Sequence, residues 1–200
     1  MHEVKGAKIE ERKGVYEPAE DTLLAAEILL RNINGDRLEV AETGTGTGTL
    51  GIIAALDKRV SHVTLSDISE EALECAKENA GLNGVEGKCT FIKSDLFDKI
   101  KGNFDIIIFN PPYLPDDDEV KSGKNWWSGG PTGIEITKLF IEQAAAHLNN
   151  NGIIIIVERS LAESKNLHDF IDANGLMIVD SEKVHIFFED IVALALKRKG

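Results

Sequence analysis

AETGTGTGTLG, residues 41–51, is the stretch on which the fold turns. Glu42 ends a short strand-like segment, Leu38 to Ala41, and Gly44, Gly46 and Gly48 follow before a segment, 49–57, with helical periodicity. Glycines at such a junction let the backbone turn sharply and come close to a ligand. The GxGxG spacing alone is a weak signal, and a tight turn with no ligand and a dinucleotide-binding enzyme are both rival readings. Read from Gly44, the first glycine after the strand, the dinucleotide fingerprint GxGxxG would need its third glycine at position 49, where Thr49 stands, and on that register the turn favours a nucleoside without pyrophosphate; read from Gly46, the spacing is met at Gly51.

Outward from this turn, strand-like and helix-like segments alternate. Residues 19–31 read as a helix after Pro18. His62 to Ser66 is a strand, and Ser69 caps a helix that opens with Glu70 and Glu71 and ends near the glycines at 81 and 84. Residues 88–93 form a third strand. Phe104 to Phe109, apolar after the single acid Asp105, and Gly152 to Val157 are apolar runs, as expected of central strands covered on both faces. Thr132 and Glu135 form a capping box before a helix with Ile136, Phe140, Ala144 and Leu148 on one face. A helix over 161–173 and strands near 176–184 and 187–196 complete the chain, the last pairing antiparallel with its predecessor. The pattern predicts an α/β fold: a mostly parallel sheet with helices on both faces, in a single domain over 1–200.

The 200 residues suffice for one such core without disulfides or metal. Cys75 and Cys89 are expected to be buried thiols, because they lack CxxC spacing and no histidine stands at ligand spacing, so no metal site is expected. No apolar run is long enough to cross a bilayer, and Met1 to Lys13 is charged without the apolar stretch of a signal peptide. Both point to the cytosol or nucleus. The formal charge of −12 argues against nucleic acid as a partner, since nonspecific binding rests on lysine and arginine neutralising phosphate. A basic protein suits such a surface better.

Asp67 closes the second strand, 25 residues past Glu42, where a carboxylate can accept both hydroxyls of a ribose. A helix N-cap is the alternative. Ile68 stands beside it. Asp95, after the strand FIKS, can accept from an adenine amino group, with Leu96 beside the ring. The most specific feature is Asn110-Pro111-Pro112-Tyr113, directly after FDIIIF. Consecutive prolines fix two φ angles and remove two N–H donors, leaving the Pro111 carbonyl rigidly aimed. With the Asn110 side-chain oxygen it offers two acceptors for both hydrogens of an NH₂ group, and Tyr113 supplies a flat face. Such a grip suits an amide or exocyclic amine nitrogen, for which positioning does most of the catalysis. The five histidines, at 2, 62, 147, 168 and 185, lie away from both motifs, and no strong base is required if the proton leaves after transfer.

In these motifs the chain resembles the class I methyltransferases of the HemK type, which methylate glutamine in translation release factors. VYEPAEDT, 15–22, and WSGGPTGIE, 127–135, resemble the short eukaryotic and archaeal branch, which lacks the helical N-terminal domain of bacterial relatives. The resemblance implies S-adenosylmethionine as cofactor and a seven-stranded sheet in the order 3-2-1-4-5-7-6, with residues 1–35 covering the cofactor site. It implies that Thr22 touches the methionine part of the cofactor, that Glu42, Gly44, Gly46 and Gly48 line its pocket, that Asp67 and Ile68 hold the ribose end, and that Asp95 and Leu96 hold the adenine. Asn110 would bridge cofactor and substrate, with Pro111, Pro112 and Tyr113 holding the target nitrogen. Several such relatives work with a small zinc-binding activator that extends the sheet at the third strand.

The leading expectation is N5-methylation of the glutamine in the Gly-Gly-Gln tip of a release factor. Protein lysine is the alternative, followed by an adenine or guanine amino group. A catalytically silent scaffold is the reading from another class. Trp126 and Trp127 suit a substrate wall or an ordinary loop anchor, and Asp116 to Glu119 a solvated acidic loop.

Overall fold

In the computed structural model the residues described are 1–111, 134–159, 164–186 and 189–200. The chain opens with a hairpin, β1 (His2–Val4) and β2 (Ala7–Ile9), and continues through α1 (Glu20–Asn32), β3 (Leu38–Thr43), α2 (Thr49–Leu56), β4 (Val60–Asp67), α3 (Glu70–Leu82) and β5 (Cys89–Lys93). Then come β6 (Phe104–Phe109), α4 (Glu135–His147), β7 (Leu148–Arg159), α5 (Ser164–Ala173), β8 (Leu176–Ile186) and β9 (Glu189–Arg198). Seven strands form one sheet in the order β5-β4-β3-β6-β7-β9-β8. Leaving the hairpin aside, this is the expected order 3-2-1-4-5-7-6. Neighbours are parallel except β9, which runs antiparallel to both β7 and β8.

Burial on both faces explains the apolar runs. Ile106 and Ile108 of β6, with Ile153, Ile155 and Val157 of β7, pack in the cluster formed with α1, α2 and α3. The alternating residues Ile107, Phe109, Ile154 and Ile156 pack on the other face with Phe140 and Ile141 of α4 and Leu167 and Ile171 of α5. Strand order reverses between β3 and β6, and the crevice beyond the carboxyl ends of strands at such a reversal is where open α/β sheets take ligands.

The described part of α4 begins at Glu135, and the capping box expected of Thr132 and Glu135 falls outside the described residues, since Thr132 is not among them. Two expectations are corrected. Leu148 is buried, but it opens β7 instead of ending the helical face. Cys75 is buried as expected, whereas Cys89 is only half-buried at the start of an edge strand.

The hairpin is not among the expected elements. Val4, Ala7 and Ile9 are buried against α1 and α2, and the turn between the strands holds Lys5 at φ 48 and Gly6 at φ 88. Two successive left-handed residues are the mark of the tight turn whose twist suits a hairpin. The outer side of β2 is held by side chains of α3. Lys8 donates its N–H to Asn83 Oδ1 at 2.8 Å and accepts from Asn83 Nδ2 at 2.7 Å. Glu10 does the same with Asn79, at 2.9 and 3.0 Å. Asn79 Nδ2 also reaches the Thr47 carbonyl at 3.0 Å, tying the N-terminal segment to the glycine turn.

Candidate active site

The glycine turn is held by a closed set of bonds. Thr45 N–H donates to Ser66 O at 2.9 Å, linking β3 to β4, and Gly48 N–H donates to Thr45 O at 2.8 Å. Gly46 has φ 53 and Gly48 φ 80, a region that costs any side chain. Their surroundings differ. A Cβ at Gly48 would sit 2.9 Å from Ala76 Cβ, so this glycine lets α3 approach α2, while Gly46 lines the cavity. Glu42 is 4 % exposed, and its Oε2 accepts from Thr45 Oγ1 at 2.6 Å and from Gly51 N–H at 2.9 Å. Burial pushes this carboxyl up to about 7, against the pull of those two bonds.

At the end of β4, Asp67 Oδ2 accepts from Gly46 N–H at 3.0 Å and Oδ1 from Ser69 N–H at 2.9 Å. Each oxygen keeps a second lone pair for a ligand hydroxyl. Burial raises this carboxyl too. The cap of α3 is Ser69, whose Oγ accepts from Ala72 N–H at 3.3 Å, so Asp67 is not the N-cap. Asp95 and Leu96 follow β5, with Leu96 buried and held at φ 39, an uncommon conformation for a residue with a side chain.

The third wall is Asn110, which follows β6. Its Nδ2 donates to Asp21 Oδ2 at 3.1 Å, a contact between residues 89 apart in the chain. Tyr16 Oη donates to the same oxygen at 2.7 Å, while Asp21 Oδ1 accepts from Thr22 N–H at 2.5 Å and Thr22 Oγ1 at 3.1 Å. Asp21 is 1 % exposed. The other end of the Asn110 carboxamide, Oδ1, is buried and has no hydrogen-bond partner among the described residues. A buried acceptor of this kind is uncommon unless a ligand is to fill it.

These walls enclose a cavity of about 430 Å³, within the usual range for a small-molecule site. Of the residues singled out from sequence, Thr22, Glu42, Gly44, Gly46, Asp67 and Ile68 line it, as do Asp95, Leu96, Asn110 and Pro111. Gly48 does not, and Pro112 and Tyr113 lie outside the described residues, as do Trp126, Trp127 and the run Asp116 to Glu119. Asp21 and Tyr16 also line it. The role of Asp21 is not legible in the sequence, where it is an ordinary acid in the first turn of a helix. Among the described residues no cluster of three His, Cys, Asp or Glu could hold a metal, and no helix is long and apolar enough to cross a membrane.

Residues 6–178 match the methyltransferase small domain family. The chain belongs to this family. A protein of Methanocaldococcus jannaschii that carries the provisional name of protein N5-glutamine methyltransferase is 36 % identical over 195 residues, covering 96 % of both chains. A release factor glutamine methyltransferase of Lactococcus lactis is 34 % identical over 157 residues, covering 74 % of this chain and 57 % of its own. The chain thus spans little more than half the length of that bacterial relative. Among solved structures, the E. cuniculi Mtq2–Trm112 complex, described as responsible for methylating the termination factor eRF1, superposes with a TM-score of 0.69. Identity there is 24 %, and the match covers 92 % of this chain and 99 % of the other.

The fold and family are those of class I methyltransferases, whose methyl donor is S-adenosylmethionine. The donor set of the cavity fits that molecule. Asp67 and Asp95, at the ends of neighbouring parallel strands, are acceptors suited to hydroxyl and amino hydrogens, with Ile68 and Leu96 as apolar flanks. Glu42 adds a buried acid suited to a cationic amino-acid tail.

Proposed function

We propose that this methyltransferase modifies the side-chain amide nitrogen of a glutamine, that of the Gly-Gly-Gln tip of a class I translation release factor. The observation that carries the reading is Asn110, whose carboxamide is clamped at one end by Asp21 and presents a buried, unpartnered oxygen at the other. An acceptor so placed, beside the Pro111 carbonyl, suits an NH₂ group. The names of the relatives from Methanocaldococcus jannaschii and Lactococcus lactis support the same substrate.

Bound S-adenosylmethionine supplies an electrophilic methyl group. In this reading Asp67 holds the ribose hydroxyls beside Ile68, Asp95 and Leu96 hold the adenine, and Thr22, Glu42, Gly44 and Gly46 surround the methionine part. Gly48 shapes the turn from behind. Asn110 Oδ1 and the Pro111 carbonyl each accept one hydrogen of the substrate amide, so that its nitrogen is aimed and its lone pair freed from the carbonyl; Pro112 and Tyr113 complete this grip. The grip works by orientation and by strengthening as positive charge grows on the nitrogen. The nitrogen then loses one proton to solvent.

The chain is read as one domain over 1–200, with residues 1–35 folded across the cofactor, working in the cytoplasm. A small zinc-binding activator is proposed at the edge strand β5, where Phe91 and Ile92 are only half-buried; the two-chain assembly of the E. cuniculi relative supports it. The test is peptide mass spectrometry of a matched release factor incubated with this protein, S-adenosylmethionine and the candidate activator. A mass gain of one methylene confined to the Gly-Gly-Gln peptide is expected. An unmodified peptide from a protein that binds cofactor would overturn the glutamine assignment and direct the search to lysine.

A further inference from the structure

We infer that Asp21 is a positioning residue that sets which end of the Asn110 carboxamide faces the substrate. The inference rests on the amide-nitrogen reading above. A carboxamide rotated by half a turn keeps its shape but reverses its chemistry, because its oxygen only accepts and its NH₂ only donates. Facing a substrate NH₂, only the oxygen is productive. Nothing in the shape of Asn110 selects that orientation, so a neighbour must.

Asp21 does so because its carboxyl oxygens accept where the carboxamide NH₂ can only donate. Its Oδ2, 3.1 Å from Asn110 Nδ2, draws the NH₂ end toward α1 and leaves Oδ1 turned away, in the buried and unpartnered state observed. The reverse orientation would set oxygen against oxygen. Asp21 is itself fixed. Oδ1 is taken by Thr22 N–H and Thr22 Oγ1, and Oδ2 receives Tyr16 Oη as well as Asn110. Among the described residues, four donors thus converge on its two oxygens, a setting suited to orienting a neighbour.

This geometry makes an unusual prediction for Asp21→Asn. Thr22 N–H requires an oxygen on the Oδ1 side, so the new NH₂ must occupy the Oδ2 side and donate toward Asn110. Asn110 then rotates, and its own NH₂ faces the substrate. The near-isosteric change thus imposes the wrong polarity instead of merely loosening the right one. At saturating cofactor we expect kcat to fall ~100-fold, the scale of losing one aimed hydrogen-bonding group. KM and cofactor affinity should move little.

The deciding experiment is the exchanged pair. Asn110→Asp alone sets two carboxylates against each other and should be as impaired as Asp21→Asn. In the double variant the carboxamide introduced at position 21 donates to the carboxylate introduced at position 110, whose other oxygen again offers the substrate an acceptor. There kcat should recover at least tenfold over either single variant, by an order-of-magnitude reading of such coupling. A residue with a purely structural role predicts additive damage instead. Near-wild-type kcat in Asp21→Asn, or a double variant no better than the singles, overturns the inference. Should wild-type protein leave release factor unmodified, orientation is read without substrate, by side-chain amide NMR. A contact between the Asn110 NH₂ protons and Tyr16 that vanishes in Asp21→Asn upholds the inference while the glutamine reading fails. Its absence in the wild type overturns the inference.

Discussion

Two buried glutamates stand at the carboxyl ends of parallel strands on opposite sides of β6, and burial pushes both up to about 7. They differ in what surrounds them. Glu42, on the side of the cavity, has Oε2 bonded to Thr45 and Gly51, both within nine residues of it. Glu158, on the far side in β7, is displaced by burial with no compensating bond, and its Oε2 has no partner among the described residues. The same displacement therefore has two meanings. On the side of the cavity it marks an acid held in place by its own turn, and on the other an acid whose charged form nothing among the described residues supports.

The largest effect is expected at the end of β6, between the two, from Asn110→Ala. Transfer should fall ~1,000-fold while much of the cofactor affinity is kept, because in the proposed reading the Asn110 carboxamide oxygen meets the substrate amide. Single-turnover assays with parallel calorimetry check this, and unimpaired turnover would break the mechanism. Asp67→Ala should do the reverse. Loss of a charged acceptor should weaken cofactor binding by roughly 10- to 100-fold, with kcat at saturation largely kept.

The glutamates themselves make a prediction about pH. Each has a folded value near 7 against an ordinary 4.5, so the fold binds a proton that the unfolded chain has lost. Their stabilisation is complete below 4.5 and disappears as pH rises through 7, roughly 3 kcal/mol for each group. Asp67, also raised by burial, works in the same direction. Urea denaturation at several pH values between about 5 and 8 should show falling stability, and Glu158→Gln should remove about half of the fall. An equal slope in that variant would show that Glu158 does not titrate in this range. The smallest effect belongs to the hairpin. Gly6→Ala, at φ 88, should cost about 1 kcal/mol in the same denaturation assay.

What could be read from the sequence follows the range of the interactions. Strands β6 and β7 announce themselves because two-sided burial demands their runs of isoleucine, β3 and β4 by their position on either side of the glycine turn and its helix, and the glycine turn because its conformations exclude other residues. Asp67, Asp95 and Asn110 are legible because they follow such strands directly. Strands β1 and β2 are too short to show a period, although Lys-Gly between Val4 and Ala7 is a usable turn signal. Asp21 is illegible for another reason. Its partner is 89 residues away, and an acid at a helix start is usually a solvated complement to the helix dipole.

The asparagines of α3 work as a ruler. Asn79 and Asn83, the latter capping α3, are four residues apart along the helix, about 6 Å along its axis, and Lys8 and Glu10 are two apart on the extended chain of β2 and its end, about 6.7 Å. The near-coincidence of those two lengths lets both side chains grip the backbone at once, in a single register. The segment leading to Tyr16 is thus measured out from α3, and a slip of one residue near the start of the chain would be felt at Asp21 and, through it, at the Asn110 carboxamide.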